Sequence, residues 1–137
     1  PPRNGRKIVY FKVKTSTGAQ SAVARDTIRL AEPLLLKVGA SWRSASISRT
    51  GEEDWFRFVV SEAGVYSVQT RLRTLDNSVL TLYGPDCPSL LLEENDDNGI
   101  DYASTITREL QPGTYYVKVR AHTPTHRGSY YIQVTKN

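Results

Sequence analysis

The chain has 137 residues, a net charge of +4 and 39% apolar residues, a composition ordinary for one globular domain. It has no run of about 18 apolar residues, which argues against a membrane-spanning helix, and its lone Cys87 excludes an internal disulfide. Residues 1–50 carry a net charge of +8, residues 51–110 carry −8 and residues 111–137 carry +4. This pattern indicates either two oppositely charged surfaces or basic ends that pack against an acidic middle.

The N-terminal part, residues 1–26, has no acidic residue before Asp26 and is predicted to be a basic extension or linker. Residues 8–13 are rich in β-branched and aromatic side chains, which predicts one strand. The small polar residues 15–21 predict a loop, and residues 24–31 are the only plausible helical segment. The chain starts with Pro1 rather than Met, so we interpret it as a part of a larger protein.

From residue 27 to residue 137, short alternating segments recur between turns rich in Gly, Pro, Asp and Asn. The predicted strands cover residues 34–38, 44–48, 55–60, 66–72, 79–83, 106–110, 115–119 and 130–134. Strands of this length and spacing predict an all-β fold, an antiparallel β-sandwich of jelly-roll type.

Alternation also predicts which side chains are buried in the sandwich. Phe56 and Phe58 are predicted core residues, and Tyr115 and Tyr130 are expected to bury their rings while their hydroxyls reach a partner. Asp54, at the start of a predicted strand, is expected to accept hydrogen bonds from nearby backbone N–H groups.

Six motifs follow one another in the acidic middle and the C-terminal part. They are Gly51-Glu-Glu-Asp-Trp-Phe-Arg-Phe58, Ala63-Gly-Val-Tyr-Ser-Val68, Leu80-Thr-Leu-Tyr83, Glu94-Asn-Asp-Asp97, Leu110-Gln-Pro-Gly-Thr-Tyr-Tyr-Val-Lys-Val119 and Gly128-Ser-Tyr-Tyr-Ile-Gln-Val134. In this order they resemble the bacterial pre-peptidase C-terminal domain family, over about residues 30–135. The collagen-binding domains of collagenases are related to this family.

The resemblance implies a jelly-roll-like sandwich appended to a secreted peptidase of a bacterium, located outside the cell or at its surface. It implies a non-catalytic accessory domain that binds substrate or matrix, or assists maturation of the parent protein. Its partners would be the parent's catalytic domain and an extracellular protein or polysaccharide. Two alternatives stay open: a module that binds carbohydrate or polyanions, and a structural spacer that packs on a neighbouring domain.

The residues themselves argue against catalysis. The two histidines, His122 and His126, flank one predicted turn, and the sequence has no Gly-x-Ser-x-Gly motif and no phosphate-binding Gly-rich loop. A hydrolytic triad needs a nucleophile, a histidine and a carboxylate that converge. We therefore predict that the chain is not an enzyme and requires no cofactor.

Calcium is a possible ligand, because one stretch is dense in hard oxygen donors. The candidate ligands are Asn95, Asp96, Asp97, Asn98 and Asp101. The alternative is a solvated loop built on Asx turns. Glu52, Glu53 and Asp54 form a second candidate. The calcium ligands of the collagen-binding relatives lie largely N-terminal to the sandwich, where this chain is basic, so they do not carry over.

A basic and aromatic ligand surface is also predicted from the outward positions of the strands. Its residues are Trp55, Arg57, Arg71, Tyr116, Lys118, Arg120, His122 and Tyr131. If they share one sheet, they could bind an acidic polysaccharide or an acidic protein face, with nucleic acid the least favoured ligand. The alternatives are an ordinary solvated face or a face covered by residues 1–26. Because Lys118, Arg120 and His122 replace the apolar contacts of the relatives, collagen specificity is not expected.

Overall fold

The structure is a computed structural model that describes residues 5–11, 24–30, 32–97 and 100–137. The chain forms two compact units, Pro2–Glu32 and Pro33–Asn137, whereas the sequence placed the boundary between residues 26 and 27. In the first unit, β1 (Gly5–Phe11) pairs antiparallel with β2 (Ala24–Leu30). The helix predicted over 24–31 is wrong, because residues 24–30 are hydrogen-bonded to β1 as a strand.

The second unit contains nine strands within the residues that the structure describes. They are β3 (Leu34–Leu35), β4 (Arg43–Ile47), β5 (Glu53–Val60), β6 (Gly64–Leu72), β7 (Ser78–Tyr83), β8 (Leu91–Asn95), β9 (Thr105–Leu110), β10 (Gly113–Ala121) and β11 (Gly128–Lys136). The five-stranded sheet has the order β3-β5-β10-β7-β8, and the four-stranded sheet has the order β4-β11-β6-β9. All neighbours are antiparallel except β3 and β5. The predicted all-β antiparallel sandwich is confirmed.

The core lies between the inner faces of these two sheets. On β5, Phe56 and Phe58 are buried, and on β10 they are met by Val117 and Tyr115, their register partners. The four-stranded sheet contributes residues such as Ile132, which is fully buried on β11. Burial of one such side chain stabilises the fold by about 1.5–3 kcal/mol. The inward alternation predicted from the sequence is therefore confirmed.

The hydroxyls of Tyr115 and Tyr130 each reach a partner, as predicted. The Tyr115 hydroxyl donates to the backbone oxygen of Gln111 at 2.8 Å and accepts from the Gln111 N–H at 3.1 Å, which closes the turn before β10. The Tyr130 hydroxyl donates to Asp54 Oδ2 at 2.5 Å, so this bond joins β11 to β5 across the sandwich. The sequence analysis named backbone N–H groups as possible donors to the Asp54 carboxylate, and the donor that the structure shows at Oδ2 is the Tyr130 hydroxyl.

The acidic segment before residue 98 begins as a strand rather than as a loop. Its first part belongs to β8, an edge strand in which Glu94 lies opposite Thr81 of β7. The Thr81 hydroxyl donates to the Glu94 carboxylate at 2.9 Å. Acidic residues are compatible with a strand here, because an edge strand has one side free of neighbours and charges discourage further pairing.

Candidate functional site

The predicted ligand surface is divided between the two sheets. Six of its residues lie on β5, on β10 or directly after β10: Trp55, Arg57, Tyr116, Lys118, Arg120 and His122. The other two, Arg71 on β6 and Tyr131 on β11, are opposite each other in the four-stranded sheet. The condition that all eight share one sheet is therefore not met. Alternation shows which side of a strand faces the core, but not which sheet the strand joins.

On the five-stranded sheet, Lys118 at the centre of this surface contacts neighbouring side chains of the same sheet. Tyr116 is fully buried rather than exposed. The Lys118 ammonium lies 2.9 Å from the Glu53 carboxylate and 5.9 Å from the ring centres of both Trp55 and Tyr83, which are 5.3 Å apart. Burial lowers the pKa of Lys118, but the hydrogen bonds to Glu53 and Tyr83 outweigh burial and raise it. The Lys118 charge is thus matched locally.

The candidate calcium ligands are largely engaged by protein groups. The Asn95 side-chain oxygen accepts from the Thr105 N–H at 3.0 Å, and an Asp101 oxygen accepts from the Ala103 N–H at 2.9 Å. The Asp96 carboxylate lies 2.7 Å from His122 Nδ1. Asp97 is exposed, and Asn98 lies outside the described residues. Across residues 32–97 and 100–137, no three His, Cys, Asp or Glu side chains are grouped as a metal site.

A buried hydroxyl network next to the loop that follows β8 was not predicted from the sequence. The Thr70 and Ser78 hydroxyls are 2.8 Å apart, and those of Ser78 and Ser104 are 3.1 Å apart. The Ser104 hydroxyl oxygen also lies 2.6 Å from the backbone oxygen of Ser78 and 2.8 Å from that of Asp96, and these two acceptors share its one proton. These bonds fix the loop after β8 to β6 and β7. Isolated Ser and Thr residues give no sequence signal that distinguishes them from solvent-facing ones.

The second candidate calcium site is also split, because its three carboxylates contact different partners. Glu52 accepts from the Ser48 and Arg49 N–H groups, each at 2.8 Å, and its carboxylate thereby stabilises the turn after β4. Hydrogen bonds from the Ser48 hydroxyl and backbone lower the pKa of Glu52. Glu53 pairs with Lys118 on the outer face. Burial raises the pKa of Asp54, and the Tyr130 hydrogen bond partly opposes that shift.

The two histidines face carboxylates and not a nucleophile. His122 pairs with Asp96, and His126 Nδ1 lies 3.7 Å from Asp76 Oδ2. In the described part of the chain, neither imidazole is hydrogen-bonded to a Ser, Thr or Cys side chain. A hydroxyl or thiol nucleophile activated by histidine requires such a contact.

A pocket on the outer face of the four-stranded sheet gathers aromatic and basic side chains. It has a volume of about 350 Å³ and is lined by Trp42, Arg71, Leu72, Arg73 and Tyr131. Arg73 Nη1 donates to the Tyr131 hydroxyl at 3.4 Å, a long hydrogen bond. Arg71 and Tyr131 belong to the ligand surface predicted from the sequence, whereas Trp42 and Arg73 do not. The two-residue spacing of the arginines was the available signal, because side chains at i and i+2 share a face.

Comparison with known proteins agrees with this architecture. Residues 52–121, which run from β5 to the end of β10, match the family model of the bacterial pre-peptidase C-terminal domain. The chain belongs to this family. Domains of this family are non-catalytic accessory domains, and the chain fits that description. No protein with a curated description matches the sequence.

Two solved structures are similar to this member of the pre-peptidase C-terminal family. The pre-peptidase C-terminal domain of collagenase from Bacillus anthracis is 17% identical, with a TM-score of 0.65 over 78% of this chain and 98% of that one. This match shows a shared fold. A periplasmic inhibitor of g-type lysozyme from Aeromonas hydrophila, PliG, is 13% identical, with a TM-score of 0.44 over 75% and 99% of the two chains. No helix long and apolar enough to cross a membrane occurs among the described residues.

Proposed function

We propose that the chain is the accessory domain of a larger secreted bacterial peptidase and attaches that enzyme to a macromolecular substrate or matrix outside the cell. The observation that carries the proposal is the family match over residues 52–121. The matched residues include β5, β7, β8 and β10, which are four of the five strands of the five-stranded sheet. A role that is not catalytic is supported by the two histidines, since among the described residues neither imidazole is hydrogen-bonded to a hydroxyl or thiol that it could activate.

We do not extend the proposal to collagen. The outward positions that make apolar contacts in the collagen-binding relatives hold Lys118, Arg120 and His122 here. Lys118 is paired with Glu53, and His122 is paired with Asp96. A polar, internally paired face does not offer the apolar area that would be needed for that contact.

The test is to fuse the whole chain to a fluorescent reporter and measure its cosedimentation with the insoluble proteins and polymers that the parent degrades. The proposal expects saturable retention of the fusion and none of the reporter alone. The same fusion should cleave no peptide bond in those substrates. Hydrolysis that disappears on a single Ser or His substitution would contradict the proposal, as would retention no greater than that of the reporter.

A further inference from the structure

We propose that the pocket formed by Trp42, Arg71, Arg73 and Tyr131 binds an anionic sugar unit of an acidic polysaccharide, through its carboxylate or sulfate group. This inference rests on the proposed function and names a ligand class and a surface for it. The pocket lies on the four-stranded sheet, away from the β10 positions considered above for collagen.

The pocket carries uncompensated positive charge. Arg71 and Arg73 are exposed, and among the described residues no carboxylate lies within ion-pair distance of either guanidinium. By contrast, Lys118 and Lys136 each have a carboxylate partner, at 2.9 and 2.8 Å. A guanidinium presents a planar fork of donors that matches a carboxylate or sulfate in two-point geometry. Two such groups at one pocket therefore favour an anionic ligand.

Two partly exposed aromatic side chains lie at the same pocket. Trp42 lies directly before β4, and Tyr131 lies on the adjacent β11, with Arg71 beyond it on β6. Neither aromatic side chain is fully buried. An aromatic ring can bury the C–H side of a sugar while the polar edge of the sugar reaches solvent or the guanidinium groups.

The sheet face around the pocket is polar and mostly uncharged. The outward positions next to the pocket are mostly neutral hydroxyl and amide side chains: Ser44 and Ser46 on β4, Gln69 on β6, and Gln133 and Thr135 on β11. These groups both donate and accept hydrogen bonds, as sugar hydroxyls do. The surface therefore favours a ligand that presents many hydroxyl groups beside its anionic groups.

The inference is tested with the 137-residue chain and three immobilised polymers. They are polygalacturonate, which carries only carboxylates, heparin, which also carries sulfates, and neutral dextran. We expect retention on at least one acidic polymer, weakening as salt rises, and none on dextran. Retention on polygalacturonate would assign the pocket to carboxylates, and retention on heparin alone would assign it to sulfates. Absence of retention on both acidic polymers at low salt would overturn the inference.

Variants locate the binding surface. Arg71→Gln and Arg73→Gln should each weaken binding of the retained polymer by about ten-fold, the effect of losing one charge-assisted hydrogen bond. Arg127→Gln and Arg49→Gln are the matched controls, since each removes one exposed charge outside the pocket lining, and should change binding by less than about two-fold. Equal losses in tests and controls would show diffuse attraction and contradict the pocket, provided that thermal melts show all four variants folded.

Competition separates a sugar ligand from other polyanions. Soluble polygalacturonate or heparin should release the chain at lower charge concentration than poly-glutamate or single-stranded DNA. Equal competition by all four would contradict a sugar site. The failure of this inference can be distinguished from failure of the proposed function. This inference alone fails if the chain is retained on neither acidic polymer, while the reporter fusion still cosediments with its substrate and Arg71→Gln leaves that cosedimentation unchanged.

Discussion

Replacing Tyr130 by phenylalanine tests the polar contact that joins the two sheets through the core. The Tyr130 ring is fully buried on β11, and its hydroxyl donates to Asp54 on β5 at 2.5 Å. Phenylalanine fills the same space, so the change removes the hydrogen bond without a large cavity. A hydrogen bond to a charged group contributes about 1.5–3 kcal/mol. We expect the free energy of unfolding at neutral pH to fall by about 2 kcal/mol, and the melting temperature by roughly 8 °C.

The loss caused by Tyr130→Phe should depend on pH. Burial raises the pKa of Asp54 above its ordinary value of 3.8, and the Tyr130 hydroxyl opposes that shift by favouring the ionised form. A raised folded-state pKa means that the Asp54 contribution to stability is present below 3.8 and is lost as pH rises through the folded-state value. Without the hydroxyl the folded-state pKa of Asp54 rises further. As pH rises from 3.8 through that higher pKa, the variant therefore loses more stability than the unsubstituted chain. The stability difference should therefore grow from acid toward neutral pH.

The assay is urea denaturation followed by circular dichroism, at about pH 3.5 and about pH 7. Tyr131→Phe is the matched control, because this neighbouring tyrosine faces outward and its hydroxyl makes only the 3.4 Å contact with Arg73. It should cost less than about 0.5 kcal/mol. Equal losses for the two variants, or a Tyr130→Phe loss that does not grow with pH, would refute the reasoning.

Three further predictions concern two turns and the candidate calcium ligands. Gly128→Ala should lower the free energy of unfolding by about 2 kcal/mol or more, since Gly128 has φ +158° and a Cβ there would lie 2.3 Å from the Leu75 backbone nitrogen; an unchanged melting temperature would contradict this. Glu52→Gln should cost about 1 kcal/mol at neutral pH. Because the pKa of Glu52 is lowered, that contribution is present above 4.5 and lost as pH falls through the folded-state value, so a pH-independent cost in denaturation curves would argue against it. Replacing EDTA with about 1 mM calcium should shift the melting temperature by less than about 1 °C, because Asn95, Asp96 and Asp101 are already engaged; a rise of several degrees would reveal a site.

The strands that the sequence predicted best are those with strict alternation. On β10, Tyr115, Val117 and Val119 face the core as expected. The segment at 34–38 was harder to predict, since only Leu34–Leu35 pairs, in parallel with β5. At β8, the density of acidic residues hid a strand, because an edge position relaxes the need for apolar side chains. Local sequence therefore identified most strands of the second unit, including the edge strands β4 and β9, but it missed β8 and overestimated β3, the two edges of the five-stranded sheet.

The site was harder to predict than the fold for a topological reason. The outward direction of Arg71 and Lys118 follows from alternation, but β6 and β10 belong to different sheets. Most successive strands of the second unit alternate between the two sheets, so residues on neighbouring predicted strands are placed on opposite faces of the sandwich. Trp42 was missed because it lies outside any strand, and its position at the pocket depends on the pairing of β4 with β11.

The most direct test of the proposed attachment role compares the parent protein with and without this chain, on two substrates. One substrate is a short soluble peptide, and the other is the insoluble polymer or protein that the parent degrades. The proposal predicts that deletion leaves kcat/KM for the peptide unchanged and slows degradation of the insoluble substrate by about ten-fold or more. An equal fall on both substrates, or failure of the truncated parent to mature, would contradict an attachment role and indicate a structural or maturation role instead.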